Sequence, residues 1–260
     1  MEFITSRDGT PIACWRHGSG TPLLLVHGTS GDHSAWTPVL AGLQQHYTVW
    51  TMDRRGRGHS GDAASYALER ECEDIAAVAD VIGGNVHLLG HSFGGLCALE
   101  ASLLTARINK LILYEPSISL TGSGWSADLE SRLQTLLDQG DREESLLLFF
   151  RDLLKTPDHE LAALRTGSSW PIRLAAAHTI LRELQSIGRY VFTAQRFHVL
   201  HKPVLLLVGG NSHPRRYATA QILQQSLPDN RIGILPGQQH SAMRTAPDLF
   251  VHHVLEFLAR

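Results

Sequence analysis

The sequence predicts an α/β domain built on a mostly parallel sheet, with helices packed on both of its faces. Short, wholly apolar runs such as Pro22–Val26 and Val204–Val208 have the character of strands buried on both sides. Stretches with helical spacing alternate with these runs, and that alternation indicates a parallel sheet covered by helices. In Val86–Leu99 an apolar run passes through a very tight turn directly into a segment of small residues.

Eight strands are predicted, and the first two flank Asp8-Gly9, a dipeptide that favours a hairpin turn. They are Phe3–Thr5, Ile12–Trp15, Pro22–Val26, Tyr47–Met52, Val86–Leu89, Leu111–Tyr114, Val204–Val208 and Arg231–Leu235. Between and after them, apolar spacing predicts helices around Trp36–Leu43, Leu68–Val81, Ala218–Ser226 and Asp248–Leu258. Acidic residues near the start of Leu68–Val81 suit a helix amino terminus.

The segment from about Ser117 to Val199 has a different character, because it is helical throughout. Its amphipathic stretches lie near Leu129–Leu137, Glu143–Leu154 and Ala175–Ile187. We therefore expect one domain made of residues 1–116 and 200–260, with residues 117–199 as a helical insertion.

The composition is that of an ordinary globular protein. With 260 residues, of which 43% are hydrophobic and 18% charged, the chain can bury one substantial core. A net charge of -2 gives no basic footprint for nucleic acid or for an anionic membrane surface. The amino terminus lacks the features of a signal peptide and no run has the length of a membrane span, so we expect a cytoplasmic protein.

Neither the cysteines nor the histidines suggest a metal site. Cys14, Cys72 and Cys97 are scattered, with neither zinc-type spacing nor a disulfide framework, which suits a reducing compartment. The 15 histidines show no ligand spacing such as H-E-x-x-H. The sequence therefore predicts no metal and no cofactor.

The turn Gly90-His91-Ser92-Phe93-Gly94 has the G-x-S-x-G pattern of a nucleophile elbow, between a predicted strand and a predicted helix. Such a turn holds its serine in a strained conformation, and its two glycines let the neighbouring backbone approach closely. The alternative is a glycine-rich turn whose serine merely caps a helix. The setting between strand and helix favours Ser92 as a nucleophile.

A nucleophilic serine needs a general base and donors for the oxyanion. His240 is the best candidate for the base, because it follows the last predicted strand, where a loop can reach the edge of the sheet that holds Ser92. His27 and His91 are interpreted as structural. The backbone N–H groups of Thr29 and Phe93 are the candidate oxyanion donors.

Taken together, the motifs LLLVHG, DRRGRGHSG, GHSFGG and PGQQH, in this order, resemble the α/β-hydrolase fold family. The resemblance covers Met1–Pro116 and His201–Arg260, and it implies a serine hydrolase with a catalytic triad and without a cofactor. The helical insertion occupies the place of the variable cap of that family, which implies a role in specificity.

The acid of the triad departs from the family pattern. Most members carry an Asp after the next-to-last strand in a G-x-x-D pattern, whereas this chain has Ser212 at that position. Glu115 ends the strand after the elbow helix and emerges at the same edge of the sheet as Ser92 and His240. It resembles the acid of some haloalkane dehalogenases and lipases of this fold. The alternative is a solvated strand-end residue or a contact to the cap.

The predicted reaction is therefore hydrolysis of a carboxylic ester, a thioester or a lactone through an acyl-enzyme. A serine nucleophile argues against the alkyl-enzyme chemistry of members that attack with Asp. Cleavage of a C–C bond and perhydrolysis use the same machinery and stay open, as does a non-catalytic binding protein on this fold.

Bulky apolar residues of the insertion favour a small, hydrophobic ester substrate. Trp125, Phe149, Phe150 and Trp170 are the candidates for lining its pocket, although side chains at helical spacing also commonly serve packing alone. The loop Asp53-Arg54-Arg55-Gly56-Arg57-Gly58 lacks the Lys-Ser/Thr of a phosphate-binding loop, and its arginines are predicted to be solvated.

Overall fold

The computed structural model describes residues 1–119 and 125–260. Its eight strands are β1 (Glu2–Thr5), β2 (Pro11–His17), β3 (Pro22–Val26), β4 (Thr48–Met52), β5 (Val86–His91), β6 (Ile108–Tyr114), β7 (Val204–Gly209) and β8 (Asn230–Leu235). Every predicted strand is present.

The strands form one sheet in the order β1-β2-β4-β3-β5-β6-β7-β8. β2 pairs antiparallel with β1 and with β4, and all pairs from β4 to β8 are parallel. The carboxyl ends of the six parallel strands consequently meet at one edge of the sheet, as the candidate residues require.

The described helices connect these strands. They are α1 (Thr37–Leu43), α2 (Leu68–Ile82), α3 (Phe93–Ala101), α4 (Ala127–Asp138), α5 (Arg142–Leu148), α6 (Asp158–Thr166), α7 (Trp170–Ala176), α8 (Ile180–Arg189), α9 (Pro214–Ser226), α10 (Ala242–Thr245) and α11 (Pro247–Leu258). None of them is long and apolar enough to cross a membrane.

The sheet divides the core into two apolar layers. In β3, Leu24 and Val26 belong to the layer formed with α2, α3 and α9, whereas Leu23 and Leu25 belong to the layer formed with α1 and α11. Successive side chains of a strand point to opposite faces, so a strand covered on both sides must be apolar throughout. This explains the PLLLV run and confirms the predicted fold class.

Helices α4 to α8 lie between β6 and β7 and make up a helical region, residues 127–189. Residues 120–124 of the predicted insertion lie outside the described residues. After α5 the chain continues as a π-helical turn, Phe149–Leu153, and its apolar side joins the same core layer as α2 and α3. Helix α6 lies within the segment predicted to be helical but outside its three predicted amphipathic stretches.

The prediction of solvated arginines after β4 is wrong, because Arg54, Arg55 and Arg57 are buried. Carboxylates of α2 accept their hydrogen bonds: Arg54 binds Glu71 at 3.0 and 2.8 Å, and Arg55 binds Asp74 through two contacts of 2.7 Å. A buried guanidinium is tolerated when a carboxylate pairs with it in this bidentate way.

The same loop is tied to the helical region. Glu183 of α8 is fully buried, lies 2.5 Å from Nη2 of Arg54 and also contacts Arg57. On the surface beside it, Arg182 pairs with Asp62 at 2.7 Å. Two buried ion pairs of Glu183 and one partly exposed pair of Arg182 thus fix α8 over the β4 loop.

Candidate active site

Ser92 occupies a sharp turn between β5 and α3, with φ 55° and ψ −121°. This left-handed backbone is strained for a residue other than glycine, and such strain is found mainly at functional positions. A Cβ at Gly90 would lie 2.5 Å from the carbonyl oxygen of Gly94, and one at Gly94 would overlap the carbonyl oxygen of His27. Only glycine fits at both positions, so the structure explains the G-x-S-x-G pattern.

Glu115 and His240 are in direct contact. Oε2 of Glu115 lies 2.6 Å from Nδ1 of His240, although the two residues are 125 positions apart. The other carboxylate oxygen accepts the N–H of Gly209 at 2.8 Å and the hydroxyl of Ser212. A carboxylate can only accept, so Nδ1 carries the proton, and Nε2 keeps its lone pair.

The electrostatics keep this pair in the state that a general base requires. Burial favours the neutral carboxyl group, but the hydrogen bond from His240, its charge and that of Arg216 outweigh burial and lower the pKa of Glu115 to about 2. Burial, assisted by the charge of Arg216, lowers the pKa of His240, and Glu115 only partly opposes this. At neutral pH the imidazole is therefore neutral beside an ionised carboxylate.

Two neighbours hold the loop that carries His240. Nε2 of His91 lies 2.8 Å from the backbone oxygen of His240 and donates to it. The hydroxyl of Tyr114 donates to the carbonyl oxygen of Gln239 and accepts the N–H of Ala242 at 3.0 Å. These contacts agree with the interpretation of His91 as structural, since its ring supports the backbone of the histidine loop.

The hydroxyl of Ser92 lies 3.1 Å from that of Ser117, and Ser117 also donates its N–H to the carbonyl oxygen of Ser92 at 3.0 Å. The hydrogen bonds of the described residues include none between Ser92 and His240. In ligand-free enzymes the contact between nucleophile and base is often long and tightens only when substrate binds.

The two candidate oxyanion donors flank Ser92. Phe93 begins α3, so its N–H has no partner within the helix. Thr29 follows Gly28, where an added Cβ would lie 3.0 Å from Cβ of Ser92. His27 fixes this turn, because Nδ1 donates to the carbonyl oxygen of Gly28 at 2.8 Å and Nε2 accepts the N–H of Arg54 at 3.1 Å.

Two cavities meet at Ser92. The first, about 500 Å³, is called the Leu184 chamber here; it has mainly apolar walls, together with Arg215 and Arg216. The second, about 480 Å³, is called the Arg173 chamber and includes His240 in its wall. Ser92, Thr29, Phe149 and Leu154 border both chambers.

The four aromatic residues of the predicted pocket lie in different places. Trp125 borders the Leu184 chamber, Phe150 borders the Arg173 chamber, and Phe149 borders both. Trp170 is buried with its ring 6.5 Å from that of Phe150 and is not among the described residues that line either chamber.

Known proteins share this architecture. The sequence model of the alpha/beta hydrolase family matches residues 23–253. The chain belongs to the alpha/beta hydrolase family. A solved alpha/beta hydrolase from Sphaerobacter thermophilus is 34% identical, with a TM-score of 0.88 over 99% of this chain and 100% of that one.

Two further relatives have more specific names. The pimeloyl-(acyl-carrier protein) methyl ester esterase of Nitrosomonas europaea is 26% identical over 248 residues, which are 90% of this chain and 94% of the relative. The enol-lactonase from Burkholderia xenovorans has a TM-score of 0.80 over 99% of this chain and 100% of that one, at 19% identity, which is a likeness of fold.

In this α/β hydrolase, Ser212 occupies the position of the usual family acid and donates to Glu115. Sequence reasoning noted the missing carboxylate but did not give Ser212 a partner. Arg216 was missed as well, with Nε 3.6 Å from Oε2 of Glu115. The signal for Ser212 was its place in the G-x-x-D pattern, whereas nothing local to Arg216 indicated its contact.

One group of described side chains has the composition of a cation site. Ligand atoms of Asp32, His33 and Asp53 lie within 4.8 Å of one another. The carboxylate of Asp53, however, accepts Nδ1 of His33 at 2.7 Å and the backbone N–H groups of His33 and His59 at 2.8 and 2.7 Å. These contacts explain the cluster as loop structure in this hydrolase.

Proposed function

We propose that this protein is a serine hydrolase that cleaves a carboxylic ester, thioester or lactone through an acyl-enzyme. Ser92 is the nucleophile, His240 the general base and Glu115 the acid that orients it. The observation that carries the proposal is the 2.6 Å contact between Glu115 and His240, beside a chamber that both His240 and Ser92 border.

The reaction follows from these positions. Oγ of Ser92 attacks the carbonyl carbon while Nε2 of His240 takes its proton, and the charge of Glu115 stabilises the imidazolium. The N–H groups of Thr29 and Phe93 bind the oxyanion. His240 then protonates the leaving oxygen, the alcohol departs, and water activated by the same histidine releases the acid from Ser92.

Two facts favour ester chemistry. The esterase of Nitrosomonas europaea, a relative over nearly the whole chain, is named for a methyl ester. The Leu184 chamber also has mainly apolar walls near Ser92, which suits the hydrophobic part of a small ester. Helices of residues 117–199 supply much of these walls, so we assign that segment the role of a cap over residues 1–116 and 200–260.

A non-catalytic binding protein is the weaker alternative. The sequence feature in its favour was the absence of a carboxylate after β7. Glu115, which directly follows β6, supplies a carboxylate to His240 instead. Among the described residues, no specific contact favours C–C bond hydrolysis or perhydrolysis over ester hydrolysis.

Intact-mass analysis after treatment with a fluorophosphonate tests the proposal. We expect one adduct on the wild type, no adduct on Ser92→Ala, and much slower labelling of Glu115→Gln. Circular dichroism checks that the variants are folded. A wild type that is not labelled and does not hydrolyse short phenyl esters would overturn the assignment, and equal labelling of Glu115→Gln would remove Glu115 from the triad.

A further inference from the structure

Arg173 is half-buried, and its partners differ from those of the fully buried arginines that follow β4. Arg54 and Arg55 each make two hydrogen bonds to a carboxylate. Arg173 makes no ion pair with any described residue, and residues 120–124 contain no acidic side chain. Its Nη1 donates to the hydroxyl of Ser30 at 3.1 Å, while its buried Nε has no hydrogen-bond partner among the described residues.

The guanidinium of Arg173 stands at the wall of the chamber that reaches Ser92. Arg173 lies on α7, and its guanidinium carbon is 5.5 Å from the centre of the Phe150 ring. Ser30, its hydrogen-bond partner, directly follows Thr29, which borders both chambers. An anion bound to Arg173 would therefore lie in the same chamber as the hydroxyl of Ser92.

The charged side chains in the described wall of this chamber are basic. Its described wall contains Arg173 and Arg244 but neither Asp nor Glu. Arg244 is partly neutralised by Glu160, 3.4 Å away. Arg173 forms no ion pair with a described residue, and the carboxylate of Asp32 acts on it from a longer distance. Burial, together with the charge of Arg244, lowers the pKa of Arg173 to about 10, and the charge of Asp32 only partly opposes this; Arg173 is still charged at neutral pH. Leaving such a charge unpaired is costly unless a ligand supplies the counter-charge.

The position of His240 assigns this chamber to one part of the substrate. His240 is in the wall of the Arg173 chamber and not among the described residues of the Leu184 chamber. The histidine must deliver a proton to the leaving oxygen, so the leaving group lies on its side of Ser92. The acyl group then extends into the Leu184 chamber, among Ile118, Leu153 and Ile187.

We propose that Arg173 is a specificity-determining residue that binds a carboxylate on the leaving group, so that the released alcohol is a hydroxy acid. The inference rests on the proposed function and names its substrate class. The single positive charge of the guanidinium balances the single negative charge of a carboxylate. Its planar fork can also donate two parallel hydrogen bonds to that carboxylate.

Matched esters test this. The first pair is the butanoyl ester of 4-hydroxybenzoate and that of 4-hydroxybenzamide, which differ in charge only on the leaving group. The second pair is monophenyl adipate and its terminal amide, which differ only on the acyl side. We expect the wild type to prefer the charged member of the first pair, with kcat/KM higher by about 10- to 100-fold, the range of a charge-assisted hydrogen bond.

Arg173→Gln should abolish that preference, mainly through KM, because the contact binds the ground state as well as the transition state. Arg173→Lys should retain part of it. Arg215→Gln is the matched control, since it removes a guanidinium from the other chamber and should leave the preference unchanged. Fluorophosphonate labelling of Ser92 shows that each variant is folded and keeps a reactive nucleophile. Both esters of a pair are compared within the same variant, so a change in its overall rate does not alter the measured preference.

The outcomes separate the two proposals. A wild type that labels and hydrolyses both amides but shows no charge preference overturns the role of Arg173 and leaves the serine hydrolase standing. A preference confined to the adipate pair overturns the assignment of the leaving group to this chamber. A preference for the charged 4-hydroxybenzoate ester that survives in Arg173→Gln assigns the anion to another residue and also overturns the proposal.

Discussion

The carboxyl edge of the sheet and the helical region that faces it are held in place by different interactions. At the sheet edge the backbone ladder continues into the site: the N–H of Ser92 donates to Tyr114 at 3.0 Å, and that of Glu115 to Leu207 at 3.1 Å. The helical region is fixed by side chains, through Glu183 on Arg54 and Arg173 on Ser30.

This difference indicates that the sheet edge determines the proposed reaction, whereas the helical region determines which substrates fit. Main-chain hydrogen bonds position the strand ends that carry Ser92 and Glu115 whatever their side chains are, so we expect the proposed triad to tolerate a change in which strand supplies the acid. Side-chain contacts that fix the helical region depend on individual residues, so substitution there changes the walls of the chambers. The following tests address first the sheet edge and then the contacts between the two regions.

The largest expected effect on activity comes from the sheet edge, when the carboxylate at position 115 is removed and one is placed at position 212 instead. Glu115→Gln should lower kcat/KM by about 10⁴-fold, as loss of the charged partner does in serine proteases. Adding Ser212→Asp to that variant should restore activity at least about tenfold, because it returns a carboxylate to the position of the usual family acid. Steady-state kinetics on a phenyl ester measures both.

The single variant Ser212→Asp is the control. It puts a second carboxylate against buried Glu115, and two adjacent carboxylates cannot both ionise easily, so activity should fall. Two results together would contradict this idea: full activity of Ser212→Asp, and a double variant no more active than Glu115→Gln. A carboxylate at position 212 would then not reach His240, and the two strand ends would not be interchangeable.

The sequence predicted the sheet edge well because the information is local. Wholly apolar runs mark strands covered on both faces, and Glu115 could be chosen because β6 had to end beside β5. The site residues from the helical region were harder. Phe149 borders both chambers and Trp170 borders neither, yet at helical spacing the two look alike.

The buried arginines show why other contacts could not be predicted. Arg54 pairs with Glu71, 17 positions later, and with Glu183, 129 positions later. A charged turn between two predicted elements is usually solvated, and only the tertiary arrangement brings those carboxylates to it. Ser117 likewise became a neighbour of Ser92 only through the pairing of β5 with β6.

An intermediate effect is expected from the buried tie between the two regions. Glu183→Gln leaves Arg54 and Arg57 short of one negative charge in a buried site, so the free energy of unfolding should fall by about 3–5 kcal/mol. Chemical denaturation monitored by circular dichroism measures the change. Asp62→Asn removes the partly exposed partner of Arg182 in the same contact region and should cost about 0–1 kcal/mol. Equal losses would mean that burial does not distinguish the two pairs.

The smallest expected effect is a shift in the pH dependence of activity, caused by the charge of Arg216 near His240. Activity requires neutral His240, so kcat/KM should rise with pH along an acid limb whose midpoint lies below 6.5, the ordinary pKa of histidine. The positive charge of Arg216 disfavours the imidazolium. Arg216→Gln removes this repulsion, so the pKa of His240 should rise and the limb should move to higher pH.

Arg216 also lowers the pKa of Glu115, but that pKa is about 2, so its rise leaves the carboxylate ionised across the histidine limb. Arg215→Gln is the graded control, because the charge of Arg215 acts on His240 in the same direction but ranks below that of Arg216. A limb that moves further in Arg215→Gln than in Arg216→Gln would contradict the charge of Arg216 as the larger of the two effects on the pKa of His240. The pKa of His240 would then be set by the combined charges around the chamber rather than by Arg216 alone, while the backbone would still position the proposed triad.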